Sequence, residues 1–320
     1  MLVEPERLGT ERVTDLVRSR WGVPAEDVTY LPEGAGAHHW VVTVAAEPAW
    51  VATADVMDEP VHVHRIHDAY AAGAELFRRG HEFATAPVAC SSGVFLVPAV
   101  AGMWMSLSPY VVGRSGAGVT MDAAQTGDIA EMLGRLHSAT PPGRTPSWLP
   151  GPPHRAALAA ALDDLDGPWR TGPYGELARR AVAEARPGIE ERLARYDELA
   201  ACRMQRQQSW VVTHGEPHTG NVVWSDAGPR LLDWESLRIA PRERDLRVVL
   251  DGDRDLPQRY LMAGGPQDPV SADLLELFDL EWQLSEIGVN ADRFRRQHTG
   301  TPDDDRDFRD LIEEIGASRG

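Results

Sequence analysis

The stretch from Trp210 to Trp234 constrains this chain more than any other. Two short apolar runs, Val222–Trp224 and Arg230–Leu232, flank a Ser-Asp-Ala-Gly-Pro turn, which predicts an antiparallel hairpin. Paired around that turn, Val222 faces Leu232 and Asn221 faces Asp233. Cross-strand partners lie about 5 Å apart, so an amide and a carboxylate converge at the open end. His214-Gly-Glu216 precedes Asn221 in a loop whose carboxylate can reach the same cavity.

Oxygen ligands of this kind suit Mg²⁺, which takes one or two protein carboxylates and completes its shell with phosphates and water. Phosphoryl transfer asks for a carboxylate to orient a hydroxyl and accept its proton. It also asks for an amide and a carboxylate to hold the metal that neutralises the phosphates. Glu216, Asn221 and Asp233 fill those three roles. Read as plain turn and cap residues, they leave their compatible spacing unexplained.

The rest of the chain is organised around this segment. Its 320 residues suggest two domains or two lobes. Residues 6–20 have helical periodicity, and 41–45 and 50–54 read as strands. Residues 65–79 look helical, and strands are expected at 86–89 and 94–97 around Ser91-Ser92-Gly93. Ile129, Met132, Leu133 and Leu136 mark an amphipathic helix, and Leu158, Leu162 and Leu165 another. A long helical stretch from Glu176 to Gln207 is interrupted near Pro187-Gly188, and further helices cover 272–288 and 305–315. The expected class is α+β: a small antiparallel β lobe at 1–101 and a mainly helical lobe at 102–320.

Formal net charge is −17, and every one of the 32 basic residues is arginine, since the chain contains no lysine. Such a field repels nucleic acid and could draw in a cationic small molecule. Cys90 and Cys202 build neither a disulfide framework nor a metal site. The longest apolar run, Val94 to Met105, is too short to span a bilayer, and the first residues are acidic and polar. A cytoplasmic protein without membrane or nucleic-acid partners is expected, as monomer or homodimer.

The segment His214-Gly-Glu-Pro-His-Thr-Gly-Asn221 resembles the catalytic loop of aminoglycoside phosphotransferases, His-Gly-Asp-x-x-x-x-Asn. Leu231-Leu-Asp233 resembles their metal-binding strand end. Leu133-Gly-Arg-Leu-His137 resembles the helix before their helical insertion. Pro241-x-x-Arg-Asp-Leu246 resembles the segment whose acid braces the catalytic loop. Order and spacing agree over residues 30–290. The resemblance implies a protein-kinase-like fold with a hinge near Val97 to Ala101, ATP or GTP as co-substrate, Mg²⁺, and a small-molecule hydroxyl acceptor, an antibiotic first of all; the alternatives are a primary metabolite such as a sugar, choline or homoserine, or a pseudokinase that only binds its ligand. It makes Glu216, with His214, the catalytic group and Asn221 and Asp233 the metal ligands. It makes Gly34, Gly36, His39, Thr53, Val97 and Ala99 the nucleotide contacts. On the acceptor side stand Trp234, Glu235, Glu281 and Trp282.

Two departures from the family pattern matter. Glu216 stands where aspartate is usual, with the same charge on a stem one methylene longer. Thr53 falls near the place of the strand lysine that holds the α and β phosphates. A hydroxyl brings no charge, so another cation must help: Arg65, Arg78, Arg79, His38 or His39. His62, His64 and His67 lack the partners of a metal cluster.

Overall fold

The computed structural model describes residues 1–57, 59–203, 209–250 and 255–316. These divide into two compact units, Met1–Trp148 with Gln208–Val270, and Leu149–Gln207 with Ser271–Gly320.

The first unit opens with α1 (Thr10–Leu16), which continues into a turn of π-helix, Val17–Trp21. Five antiparallel strands follow: β1 (Asp27–Leu31), β2 (His38–Val44), β3 (Glu47–Val56), β4 (Val97–Val100) and β5 (Met103–Pro109), in the spatial order β1-β2-β3-β5-β4. Strand alternation gives the sheet two different faces. Val28, Trp40, Val42, Ala52, Ala54, Met105 and Leu107 point to one side and form a core with Leu8, Val13, Leu16 and Val17. His39, Thr53 and Ser106 form one row across β2, β3 and β5 on the other side, and Asp55 follows Thr53 there.

Crossing from β3 to β4, α2 (Pro60–Arg78) carries Ile66, Ala69, Tyr70 and Leu76 into a second core. That core also takes Ile129, Leu133 and Leu136 of α3 (Ala123–His137), together with Leu231 and Trp234. A capping box at Asp122 and Gln125 starts α3. Gly73 lets α2 approach closely: a Cβ there would lie 2.8 Å from the Ala86 Cβ and 3.4 Å from Trp234.

After the short strand β6 (Arg114–Ser115), the chain builds α4 (Arg155–Asp163) and α5 (Gly175–Arg203) of the second unit. It returns to the first for β7 (Val211–Thr213), β8 (Val222–Ser225), β9 (Gly228–Leu231), β10 (Arg238–Ala240), α6 (Glu243–Leu246) and α7 (Gln258–Met262). Helices α8 (Ala272–Arg295) and α9 (Pro302–Gly316) complete the second unit. There α5 and α8 are tied by the Arg195–Glu276 ion pair at 2.7 Å and by the Tyr196 hydroxyl, which donates to Glu281 at 2.7 Å.

Several expectations need correction. Residues 86–96 are irregular: Pro87 supplies no N–H, a turn closes over Cys90–Val94, and the Val88 and Ser91 N–H groups go singly to the carbonyls of Leu107 and Arg20. The apolar run 94–105 folds back at Ala101-Gly102, so β4 and β5 pair with each other. The sheet therefore continues past residue 101, where a lobe boundary was expected, and the chain leaves it only after Pro109. The expected break at Pro187 is absent, and α5 runs through it. An interior proline costs about 3 kcal/mol, and the burial of Val182, Ile189, Tyr196 and Leu199 on either side offsets that. The expected end of this helix, 204–207, lies outside the described residues.

Candidate active site

The loop 214–221 is held from below by one carboxylate. Asp245, at the end of α6, accepts the backbone N–H groups of His214 at 2.8 Å and Gly215 at 2.6 Å. It also takes the Nε2–H of His137, 3.1 Å away, while His137 Nδ1 lies 2.9 Å from the Tyr260 hydroxyl. Both side chains are fully buried. Burial alone pushes the Asp245 carboxyl up. The His137 hydrogen bond and the nearby charges of His137 and Arg244 outweigh that, and its pKa lies below the ordinary value. The acid expected to brace the loop does so, through two main-chain amides. Gly215 has φ +103, and a Cβ on it would run into the Arg244 guanidinium. That guanidinium donates to Thr213 Oγ1 at 3.1 Å and to the Ser236 carbonyl at 2.9 Å.

His214 is buried among these groups. Its Nε2–H donates to the Leu232 carbonyl at 2.8 Å, its Nδ1 accepts the Glu216 N–H at 3.2 Å, and its ring meets Trp234 edge-on. Burial holds it neutral, with its pKa lowered to about 4. Expected as part of the catalytic pair, it instead sets the path of the main chain into Glu216. The Glu216 carboxylate accepts the Ser236 hydroxyl at 2.9 Å, and its carbonyl accepts the Asn221 Nδ2–H at 3.0 Å. Asn221 thus has its nitrogen committed to the loop, which leaves Oδ1 as the end that can meet a cation.

The hairpin is present, but its register is shifted by one residue. Val222 pairs with Leu231 and Ser225 with Gly228, so the turn has two residues, Asp226-Ala227. Gly228 takes φ +103 and its carbonyl accepts the Ser225 hydroxyl, which closes the turn tighter than a symmetric reading of the apolar runs allows. Asn221 now lies opposite Leu232, whose N–H it accepts at 2.8 Å. Asp233 leaves the ladder in a left-handed conformation, φ 59° and ψ 70°. A non-glycine residue held there is uncommon and turns the carboxylate off the strand.

Asp233 is exposed to solvent, yet burial among neighbouring protein atoms is the main force on its pKa. That force, with the charges of Glu235 and Glu216, pushes its pKa well above the ordinary range. Glu235 is pushed up to about 8 by burial and then by Asp55 and Glu216, against the pull of Arg238 and Arg65. Asp55 reaches about 7 through burial and then the charge of Asp233. The Tyr70 hydroxyl, hydrogen-bonded to Ser106, is raised by burial and by the same three carboxylates. Asp55 stands outside the site residues that the sequence points to. Its only signal was the two-residue spacing from Thr53.

On the sheet face, His39 Nδ1 lies 3.0 Å from Thr53 Oγ1, and burial lowers its pKa to about 4, so it brings no charge. Gly34 and Gly36 both take positive φ in the loop before β2. Arg78 and Arg79 are spent on Glu75. His38 hydrogen-bonds Tyr30. Of the expected compensating groups, Arg65 is the one that faces this acidic region, through Glu235. Arg238 joins it there, its pKa lowered to about 9 by burial and by the charges of Arg244 and Arg65.

Other expected contacts lie elsewhere. Val97 and Ala99 are buried in the core under the sheet, because β4 pairs with β5, with a bulge at Ala99, and is not a hinge. Trp234 is wholly buried, donating its Nε1–H to the Leu231 carbonyl, and offers no face to a substrate. Glu281, in the second unit, is buried against Tyr196, and Trp282 beside it is half-buried. Among the described residues, no three or more His, Cys, Asp or Glu side chains are gathered to hold a metal by themselves, the histidines of α2 included.

A family model described as the phosphotransferase enzyme family matches residues 50–273. The protein StrN of Streptomyces griseus is 26% identical over 261 residues, covering 79% of this chain and 77% of its own. A spectinomycin phosphotransferase, solved with ADP and spectinomycin, superposes with a TM-score of 0.73 at 14% identity, covering 98% of this chain and 99% of its own. An amicoumacin kinase with AMP-PNP, Ca²⁺ and its ligand gives 0.55 at 12% identity, covering 98% and 95%. These likenesses show an α+β, protein-kinase-like fold with an antiparallel N-terminal sheet and a helical C-terminal region.

Proposed function

We infer that this chain, which belongs to the phosphotransferase enzyme family, moves the γ-phosphoryl group of ATP or GTP onto a hydroxyl of a small molecule, and that the molecule is an antibiotic. The observation that carries this reading is the Glu216 carboxylate, aimed by Ser236 on a loop whose backbone Asp245 fixes, beside Asn221 and Asp233.

Glu216 orients the acceptor hydroxyl and takes its proton as the oxygen bonds to phosphorus. The bridging oxygen leaves with the nucleoside diphosphate. His214 and Asp245 act through the loop, as positioning residues. Gly34, Gly36, Thr53 and His39 face the nucleotide, and Arg65 adds charge beside Glu235. On the acceptor side we place Glu235. Carboxylates that raise one another's pKa fit a hard divalent cation, and Asn221 Oδ1 adds a neutral oxygen. Mg²⁺ held by Asn221 and Asp233 would neutralise charge on the phosphates. No helix among the described residues is long and apolar enough to cross a membrane, and the reading puts the enzyme in the cytoplasm. The antibiotic reading is supported by the spectinomycin and amicoumacin enzymes that share the fold. The chain's negative charge favours a cationic acceptor.

The test is a panel of hydroxyl-bearing antibiotics, sugars, choline and homoserine, incubated with Mg²⁺ and ATP or GTP and read by mass spectrometry for phosphorylated product. A product from the antibiotic set is expected. Glu216→Gln should lower its kcat roughly 10²–10⁴-fold with nucleotide affinity little changed. A product only from a primary metabolite would move the substrate class. Metal-dependent nucleotide binding with no product anywhere would overturn the reading in favour of a binding protein.

A further inference from the structure

A lysine-free chain of this fold must answer the charge of the nucleotide phosphates in another way, and β3 shows a candidate. Thr53 is the strand residue nearest the usual lysine position, and Asp55 lies two residues on, on the same face of the sheet. The Asp55 Oδ2 is one of the few buried side-chain atoms among the described residues that make no hydrogen bond. Buried polar atoms nearly always have partners, and a carboxylate oxygen without one is costly to keep. Its surroundings offer no relief. Asp233 is near enough for its charge to act on Asp55, and Glu235 adds to the same field. Tyr70, the buried hydroxyl on this face, is already bonded to Ser106. Arg238 is held by the carbonyls of Glu235 and Leu237.

We propose that Asp55 and Asp233 together hold a divalent cation, shared with the nucleotide phosphates and additional to the ion held at Asn221, which does the work that a strand lysine does elsewhere. The inference rests on the nucleotide-dependent reading above. Two carboxylates, phosphate oxygens and water make the donor set that Mg²⁺ prefers, so no preassembled protein cage is needed. The ion satisfies the orphaned Oδ2 and places positive charge beside the row His39–Thr53–Ser106, which has none of its own. It also accounts for an otherwise unfavourable choice: an acid on a strand that faces phosphate.

The experiment counts Mn²⁺ bound to the full chain in the presence of a non-hydrolysable ATP analogue, by electron paramagnetic resonance, with thermal melts as the check on folding. Asp55→Asn keeps the shape and also mimics a protonated carboxyl. It should bind one Mn²⁺ fewer than the parent, and the analogue at least tenfold more weakly. Thr53→Lys, which restores an ammonium to the strand, should also bind one Mn²⁺ fewer but keep its analogue affinity. Parental Mn²⁺ stoichiometry in both folded variants overturns the proposal, and so does a parent that binds the analogue without the additional ion. A parent that binds no analogue at all would sink the functional reading itself.

Discussion

Two acidic pockets lie on either side of the loop 214–221, and they are built in opposite ways. Below the loop, Asp245 has both oxygens engaged by His137 and two main-chain amides, and its pKa is pulled down. Above it, Asp55, Asp233 and Glu235 repel one another, one oxygen has no partner, and all three pKa values are pushed up. Burial acts on every one of these groups, so hydrogen bonds and neighbouring charge make the difference. The lower pocket is complete as protein. The upper one, on the proposal made above, is completed by a cation from outside.

The contrast is most sharply tested by removing one acid from each pocket. Asp245→Ala leaves His137 and two buried amides without their acceptor, and should cost about 3–5 kcal/mol, enough to threaten folding itself. Asp233→Ala removes a repelled charge, so turnover should vanish while the thermal midpoint holds or rises. Melting curves and turnover measured on both variants decide the matter. Equal loss of stability in the two would end the distinction.

A smaller effect is expected from pH. The folded-state pKa of Glu235 lies near 8, against about 4.3 for an unperturbed glutamate, so its charge disfavours the fold at alkaline pH. Glu235→Gln should therefore melt above the parent at pH 8 in metal-free buffer, by on the order of 1–2 kcal/mol given the solvent it retains. The gap should close as pH falls below about 4, where the carboxyl is protonated in the folded and the unfolded chain alike. A gap that widens with acid would mean that Glu235 is held by Arg65 and Arg238 and belongs with Asp245.

The smallest effect belongs to Thr53. Thr53→Ala removes one neutral hydrogen bond to His39, and nucleotide KM should rise about tenfold or less. A rise of several orders of magnitude would shift phosphate binding from the upper pocket's cation to the hydroxyl.

What was legible in the sequence follows the range of each interaction. Glu216, Asn221 and the hairpin come from one short stretch with its own turn chemistry. The fold class and the Asp245 brace came through the order of familiar segments. The one-residue register error arose because apolar patterning placed the strands and left the turn to the conformation of Gly228. Val97 and Ala99 read as a hinge because an apolar run does not reveal where it folds back. Asp55, Tyr70 and Arg238 stayed hidden, since β3, α2 and β10 meet only in three dimensions.

The close approach at Gly73 gives a chemically inert position a hold over the chemistry. Helix α2 rests against Ala86 and Trp234 with no room for even a methyl group, and Trp234 directly follows Asp233. Packed interiors pass displacement on instead of absorbing it. A single added carbon at residue 73 would therefore move the helix, the indole and the carboxylate as one train. Selection against it would leave this glycine as immovable over evolutionary time as Asp233 itself.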